Sequence, residues 1–149
     1  MLILLLLLLL YFYFPYVSYD SIDISPDFLL LVIIFSSIQL SRSRLLLLSF
    51  IIGIIKDILT QYYFFGFLSL ITTIFGYSIA IFNPFKKNNF NYILMIFFIF
   101  IYFFIGYNLK YSESYLFYFK FSCIKSIVTF FLFFLFNTIF IKTIQKFEK

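Results

Sequence analysis

The sequence predicts an all-α integral membrane protein, folded as a bundle of six transmembrane helices. Three observations support this fold class. Of the 149 residues, 64% are hydrophobic and 27% aromatic, while only 11% are charged. The apolar residues form continuous runs without alternation, which favours helices over a membrane β-barrel. The runs recur along the whole chain, so residues 1–149 are expected to form a single polytopic transmembrane domain.

Six apolar segments are separated by short polar connectors. A transmembrane helix needs roughly 20 mostly apolar residues, and the second and third segments are short by that measure. The polar residues 41–44 argue against joining these two into one span. The first segment has no basic residues before it and no small-residue cleavage site, which favours a retained helix over a cleaved signal peptide. The segments are Leu2–Val17, Phe28–Leu40, Leu45–Leu59, Tyr63–Phe82, Tyr92–Tyr107 and Phe121–Ile141.

The charges in the connectors predict the orientation of the helices. Basic residues concentrate in cytoplasmic loops of membrane proteins. The first connector contains three aspartates and no base, while the second and fourth contain basic pairs. These residues are Asp20, Asp23 and Asp27, then Arg42 and Arg44, then Lys86 and Lys87. We therefore predict that both termini lie in the cytoplasm. The net charge of +5 indicates this orientation rather than nucleic-acid binding, and lipid is the expected surrounding.

A glycine and an aspartate four residues apart lie inside the third segment. Gly53 and Asp57 share one face of a helix, and a small residue there lets a neighbouring helix approach closely. A carboxylate within a span costs about 2.5–3.5 kcal/mol on insertion scales, so it usually faces the bundle. Alternatively, Asp57 only ends the helix at the outer interface. Gly66 and Gly76, in the fourth segment, are interpreted as two separate points of close helix contact.

Two lysines also lie within apolar segments. Lys56 either reaches the membrane rim or belongs to a polar pocket. Lys125 either reaches the outer interface or pairs with Asp57. Both Asp57 and Lys125 are predicted to lie about 6 Å below the same interface, at 1.5 Å per residue. We therefore predict that Asp57 and Lys125 face each other inside the bundle and form an ion pair.

The patterns that accompany catalysis are missing from the sequence. Histidine is absent and Cys123 is the single cysteine, which removes the commonest general base and any internal disulfide. The nucleophile-elbow and phosphate-loop patterns are absent too. We therefore expect no enzymatic activity, no metal and no cofactor.

One series of residues is similar in order and spacing to a known family. It consists of Pro26-Asp27 before an apolar helix, Arg42 and Arg44 in a short loop, Gly53-x-x-x-Asp57, Gly66 and Gly76-Tyr77. Together with the chain length and the six-segment layout, this series resembles the MreD family of rod shape-determining proteins. The resemblance covers nearly the whole chain, and its strongest part runs from Pro26 to Ala80.

The resemblance implies a non-catalytic scaffold of the bacterial cytoplasmic membrane, acting in rod shape determination and peptidoglycan synthesis. The partners it implies are an MreC-type single-span protein and other proteins of the elongation machinery. The fold it implies is similar to that of the substrate-binding subunits of energy-coupling-factor transporters. A small-molecule-binding subunit of such a transporter is therefore the alternative function. Those subunits typically dock through an alanine motif on the first helix, and residues 2–10 contain no alanine or glycine, which favours the scaffold.

Overall fold

Six α-helices account for most of the chain in the computed structural model, which describes residues 2–15, 17–19, 22–60, 65–82, 89–110 and 114–147. The helices are α1 (Leu2–Tyr13), α2 (Phe28–Ser36), α3 (Arg42–Thr60), α4 (Phe67–Phe82), α5 (Asn89–Lys110) and α6 (Tyr115–Phe147). Two strands of two residues each, β1 (Ser18–Tyr19) and β2 (Ile22–Asp23), pair antiparallel between α1 and α2. The helical fold class is confirmed, and this small hairpin is the one addition to it within the described residues.

Two of these helices have the length and composition needed to cross a membrane. They contain the spans Phe90–Asn108 and Tyr115–Ile139. At 1.5 Å per residue, the nine residues of α2 extend about 14 Å, less than half of a hydrocarbon core of about 30 Å. Helix α3 has 19 residues but includes four charged ones. Within the described residues, the structure therefore has six helices, and two of them contain candidate membrane spans.

Helix α2 is bounded by side-chain caps at both ends. The carboxylate of Asp27 accepts the N–H of Leu30 at 3.0 Å, which satisfies a donor that the first helical turn leaves unpaired. At the other end, the hydroxyl of Ser37 donates to the carbonyl of Ile34 at 2.6 Å, and a turn follows. The predicted segment, which ran to Leu40, therefore ends earlier as a helix. All nine residues of α2 are buried, so this short helix forms the centre of the bundle.

Several polar side chains point into the bundle, and many large apolar side chains point out of it. Helix α3 shows both sides, since Ser49 and Asp57 are buried while Leu47, Phe50 and Ile58 are exposed. Buried hydroxyls bond within their own helix, as Ser49 does to the carbonyl of Leu45 at 2.8 Å. Each odd-numbered helix packs chiefly on the helix that follows it in sequence. The bundle is therefore built from three helix pairs, and α2 is buried among the other helices.

Candidate functional site

Helices α3 and α4 form a closely packed antiparallel hairpin because glycine lies at their contacts. A Cβ atom on Gly53 would overlap the hydroxyl of Thr72 and the backbone of Ser69. On the other helix of the hairpin, a Cβ atom on Gly76 of α4 would overlap the side chain of Ser49 of α3. Small residues on each helix therefore receive hydroxyl-bearing residues of the other, and the backbones approach more closely than larger side chains would allow.

Gly66 has a different role from the other two glycines. Its φ angle is +95°, in the region that side-chain-bearing residues rarely adopt. The nearest side-chain atom to a Cβ placed there would be the hydroxyl oxygen of Ser69 at 4.0 Å. The interpretation of Gly66 as a point of close helix contact is therefore wrong. It is the turn residue that directs the chain into α4.

The side chain of Asp57 reaches from α3 to the start of α4, where its carboxylate accepts three backbone hydrogen bonds. One oxygen, Oδ2, accepts the N–H groups of Gly66 at 3.1 Å and of Ser69 at 3.0 Å. The other, Oδ1, accepts the N–H of Leu68 at 3.1 Å. The first N–H groups of a helix have no partner within it, and the helix dipole is positive at this end. A buried carboxylate of α3, only 3% exposed, therefore caps the neighbouring helix.

The predicted ion pair between Asp57 and Lys125 is wrong. Both carboxylate oxygens of Asp57 are directed at the N-terminus of α4. The two residues do lie near the same end of the bundle, in agreement with the prediction that they lie at a similar depth in the membrane. Depth along a helix axis, however, says nothing about which neighbour a side chain faces. Because α4 is the next helix in the chain, its unpaired N–H groups lie beside Asp57 and donate to its carboxylate.

Lys56 points to a different side of α3, about 100° around the helix from Asp57. Its ammonium donates to Asp27 Oδ2 at 2.5 Å and to the hydroxyl of Tyr102 at 2.9 Å. The ion pair is largely enclosed, with the Lys56 and Asp27 side chains 8% and 14% exposed. These bonds join the end of α3 to the start of α2 and to the middle of α5. Of the two alternatives for Lys56, the polar pocket is confirmed and the membrane rim is wrong.

A cavity of about 430 Å³ adjoins this ion pair. It lies where the C-terminal ends of α1, α3 and α5 meet the N-terminal ends of α2, α4 and α6, so the six helices alternate in direction. Its volume is within the range of about 300–1,000 Å³ that is typical of small-molecule sites. Among the residues that the structure describes, its lining is mostly aromatic and aliphatic and includes three charged side chains. The lining residues include Tyr11, Phe12, Asp27, Lys56, Tyr102, Phe103, Gly106, Tyr107 and Lys125.

Lys125 lies in the wall of this cavity. Its ammonium nitrogen is 5.4 Å from the centre of the Phe103 ring and 5.9 Å from that of Tyr107. Both distances are within the range of about 6 Å over which a ring face attracts a cation. The structure therefore places Lys56 and Lys125 around one cavity, and it places Gly53, Asp57, Gly66 and Gly76 in the adjacent hairpin.

Three residues of the site were not among the candidates from the sequence. Asp27 carried a signal, because an aspartate after proline and before an apolar run is typical of a helix start. Tyr102 stands in an aromatic-rich segment and has no distinguishing neighbour. Gly106 is a single glycine between apolar residues, and its place in the cavity wall depends on the three-dimensional structure.

The chain matches no protein-family model, no curated protein and no solved structure. Among the described side chains, no group of three His, Cys, Asp or Glu residues could hold a metal ion. The fold and the site define a small helical bundle with a capped hairpin, a buried ion pair and a cavity at one end.

Proposed function

We propose that this protein is a non-catalytic membrane scaffold of the bacterial cell-elongation machinery, acting in rod shape determination and in the regulation of peptidoglycan synthesis. One observation carries the proposal. The residues behind the resemblance to the MreD family that lie between positions 53 and 76 form one structural unit, the α3–α4 hairpin. Gly53 and Gly76 allow its helices to meet, Gly66 makes its turn, and Asp57 caps its second helix. A rigid hairpin suits a protein that presents fixed surfaces to partners, here an MreC-type single-span protein and the wall synthases.

The surface of the bundle supports a location in the bacterial cytoplasmic membrane. Many large apolar side chains are exposed, while several serine and threonine side chains and those of Lys56 and Asp57 are buried, the arrangement that lipid favours. The alternating helix directions suit six spans with both termini in the cytoplasm. Arg42 and Arg44 then lie at the cytoplasmic end, since they begin α3, and the cavity lies at the outer end. The connector with Lys86 and Lys87 is outside the described residues.

Reporter fusions test this orientation. Alkaline phosphatase is active only outside the cytoplasm, so a fusion after Glu113 is expected to be active and fusions after Lys87 or Lys149 inactive. The reason is that basic connectors are retained in the cytoplasm. A fluorescent-protein fusion at Lys149 provides the matched control, because it should fluoresce only in the cytoplasm. An active phosphatase at Lys149 would show an odd number of spans.

Depletion in the native bacterium tests the scaffold function. Cells are expected to lose their rod or elongated shape and to become round, because wall synthesis would no longer be organised along the cell cylinder. The measurement is the ratio of cell length to width by microscopy, with a plasmid-borne copy as the rescue. A copy with Asp57→Ala is expected to rescue poorly, whereas one with Ser78→Ala, in the same hairpin, should rescue fully. Unchanged cell shape after depletion would contradict the proposal.

The cavity favours a second candidate, a small-molecule-binding subunit of an energy-coupling-factor-type transporter. A site of about 430 Å³ at the outer end of the bundle is where such a subunit would take up its cargo. The depletion experiment separates the two functions. Loss of vitamin uptake with normal cell shape would favour the transporter subunit, and rounding with normal uptake would favour the scaffold.

A further inference from the structure

The hydroxyl of Tyr102 is a buried group whose hydrogen bonding is only half complete. Its oxygen accepts the ammonium of Lys56 at 2.9 Å, and an ammonium has no lone pair with which to accept a proton in return. The O–H of Tyr102 therefore needs another acceptor, and none of the described residues supplies one. Tyr102 is only 6% exposed, and a buried donor without a partner is destabilising. Because Tyr102 lies in the cavity wall, this donor is available to an acceptor that enters the cavity.

The ammonium of Lys56 has an unused donor in the same place. A lysine ammonium carries three N–H donors. Two of them bond to Asp27 and Tyr102, and within the described part of the chain the third has no acceptor. Lys56 is as buried as Tyr102 and also lines the cavity. Because Lys56 bonds to the hydroxyl of Tyr102, the two unused donors are neighbours, and one carbonyl oxygen with its two lone pairs can accept both.

The positive charge of Lys56 is already balanced within the protein. The carboxylate of Asp27 accepts the ammonium at 2.5 Å, and both side chains are largely enclosed. A second carboxylate at the unused donors would stand beside that of Asp27, and like charges repel each other strongly where the dielectric is low. The unused donors therefore suit an uncharged acceptor, such as the carbonyl oxygen of a ketone, an ester or an amide.

Gly106 provides space beside these donors. It follows Tyr102 by four residues in α5, so the two share one face of the helix, about one turn apart. A Cβ atom on Gly106 would have no described atom within 4 Å, although glycine destabilises a helix relative to alanine. Gly106 lies in the cavity wall together with the rings of Phe12 and Phe103. The cavity therefore has an apolar region next to its two unused donors.

We propose that this cavity binds an uncharged, mostly apolar molecule that carries a carbonyl group. The carbonyl oxygen accepts the O–H of Tyr102 and the third N–H of Lys56, and the apolar body lies along Gly106 beside the aromatic rings. The ring of Tyr102 packs on that of Phe75 in α4, with 5.8 Å between the ring centres, which fixes the hydroxyl in place before the ligand binds. This site goes beyond the scaffold function and does not depend on it, because ligand binding is measured on the purified chain and cell shape in the bacterium.

Such a ligand comes either from the membrane, as a lipid, or from solution, as a small soluble compound. Each source has a pair of probes that differ only in the carbonyl group: 2-tridecanone with tridecane for a lipid, and 4-phenyl-2-butanone with butylbenzene for a soluble compound. Binding of each radiolabelled probe to the full chain, purified in a neutral detergent, is measured by scintillation proximity. Each probe is compared between protein variants, because its partition into the detergent is then the same on both sides of the comparison.

Tyr102→Phe removes one of the two donors and keeps the ring. It is expected to lower the affinity for at least one ketone by about three- to tenfold, the loss of one hydrogen bond, and to leave the affinity for the matched hydrocarbon unchanged. Tyr77→Phe, the same change at an exposed tyrosine of α4, should alter neither affinity. The pair whose ketone loses more affinity identifies the source of the ligand.

Gly106→Leu tests where the apolar body lies. Leucine fills the space beside the donors, so this variant should lose both probes of that pair while circular dichroism shows an unchanged helix content. Binding that survives Gly106→Leu, or a loss in Tyr102→Phe that is equal for ketone and hydrocarbon, would overturn the proposal. A larger loss for 3-phenylpropanoate than for 4-phenyl-2-butanone in Tyr102→Phe would also overturn it, because the site would then take an anion.

Discussion

Replacing Asp57 with alanine is expected to lower the free energy of unfolding by about 3–5 kcal/mol. The change removes the acceptor for three backbone N–H groups at the start of α4. Each buried donor left without a partner costs about 1–3 kcal/mol, and Asp57 is only 3% exposed. The favourable contact between a negative charge and the helix N-terminus is lost as well. Denaturant unfolding of the detergent-purified protein measures the effect.

Two further variants define the cause of this loss. Asp57→Asn keeps one oxygen acceptor, so it should lose less, about 1–3 kcal/mol. Ser78→Ala removes a hydroxyl bonded within the same helix, and it should change stability by no more than about 0.5 kcal/mol. Adding Lys125→Gln to Asp57→Asn should recover nothing, because the two residues have separate partners. A double variant that is more stable than Asp57→Asn alone would show that Asp57 and Lys125 interact in the native protein. That result would contradict the capping role of Asp57.

The helices could be predicted because each depends on a continuous run of apolar residues. The start of α2 was placed correctly at Phe28, where Asp27 supplies the cap. The ends of α6 were not, since the helix runs from Tyr115 to Phe147 rather than from Phe121 to Ile141. Lysines such as Lys120 and Lys142 interrupt the apolar run but are good helix formers. Hydropathy therefore locates a helix, while its ends depend on caps and propensity.

The candidate site was predictable along each helix and not around it. Gly53 and Asp57 were placed on one face of α3, and both face α4 in the structure. Lys56 and Asp57 are neighbours in sequence and point about 100° apart on a helix of 3.6 residues per turn. Both are buried, because α4 lies on one side of α3 while α2 and α5 lie on the other. Which helix lies on which side is a property of the whole bundle, and no local spacing contains it.

Replacing Lys56 with methionine is expected to lower the free energy of unfolding by about 3–5 kcal/mol. Methionine fills a similar volume but leaves the carboxylate of Asp27 without its counter-charge in an enclosed site. Asp27 keeps its bond to the N–H of Leu30, which limits the loss without removing it. Tyr102→Phe deletes only the second acceptor of Lys56, so it should cost about 1 kcal/mol. The order of these two losses, measured by denaturant unfolding, separates the charge from the hydroxyl.

A double-mutant cycle determines whether the pair itself is responsible. Asp27→Asn alone leaves the ammonium of Lys56 buried with Tyr102 and no counter-charge, so it should also destabilise the protein. With both changes no uncompensated charge is left, and the loss should be smaller than the two single losses together by at least about 1 kcal/mol. Strictly additive losses would mean that the contact between Lys56 and Asp27 contributes nothing to stability. The helix junction of α2, α3 and α5 would then rest on apolar packing alone.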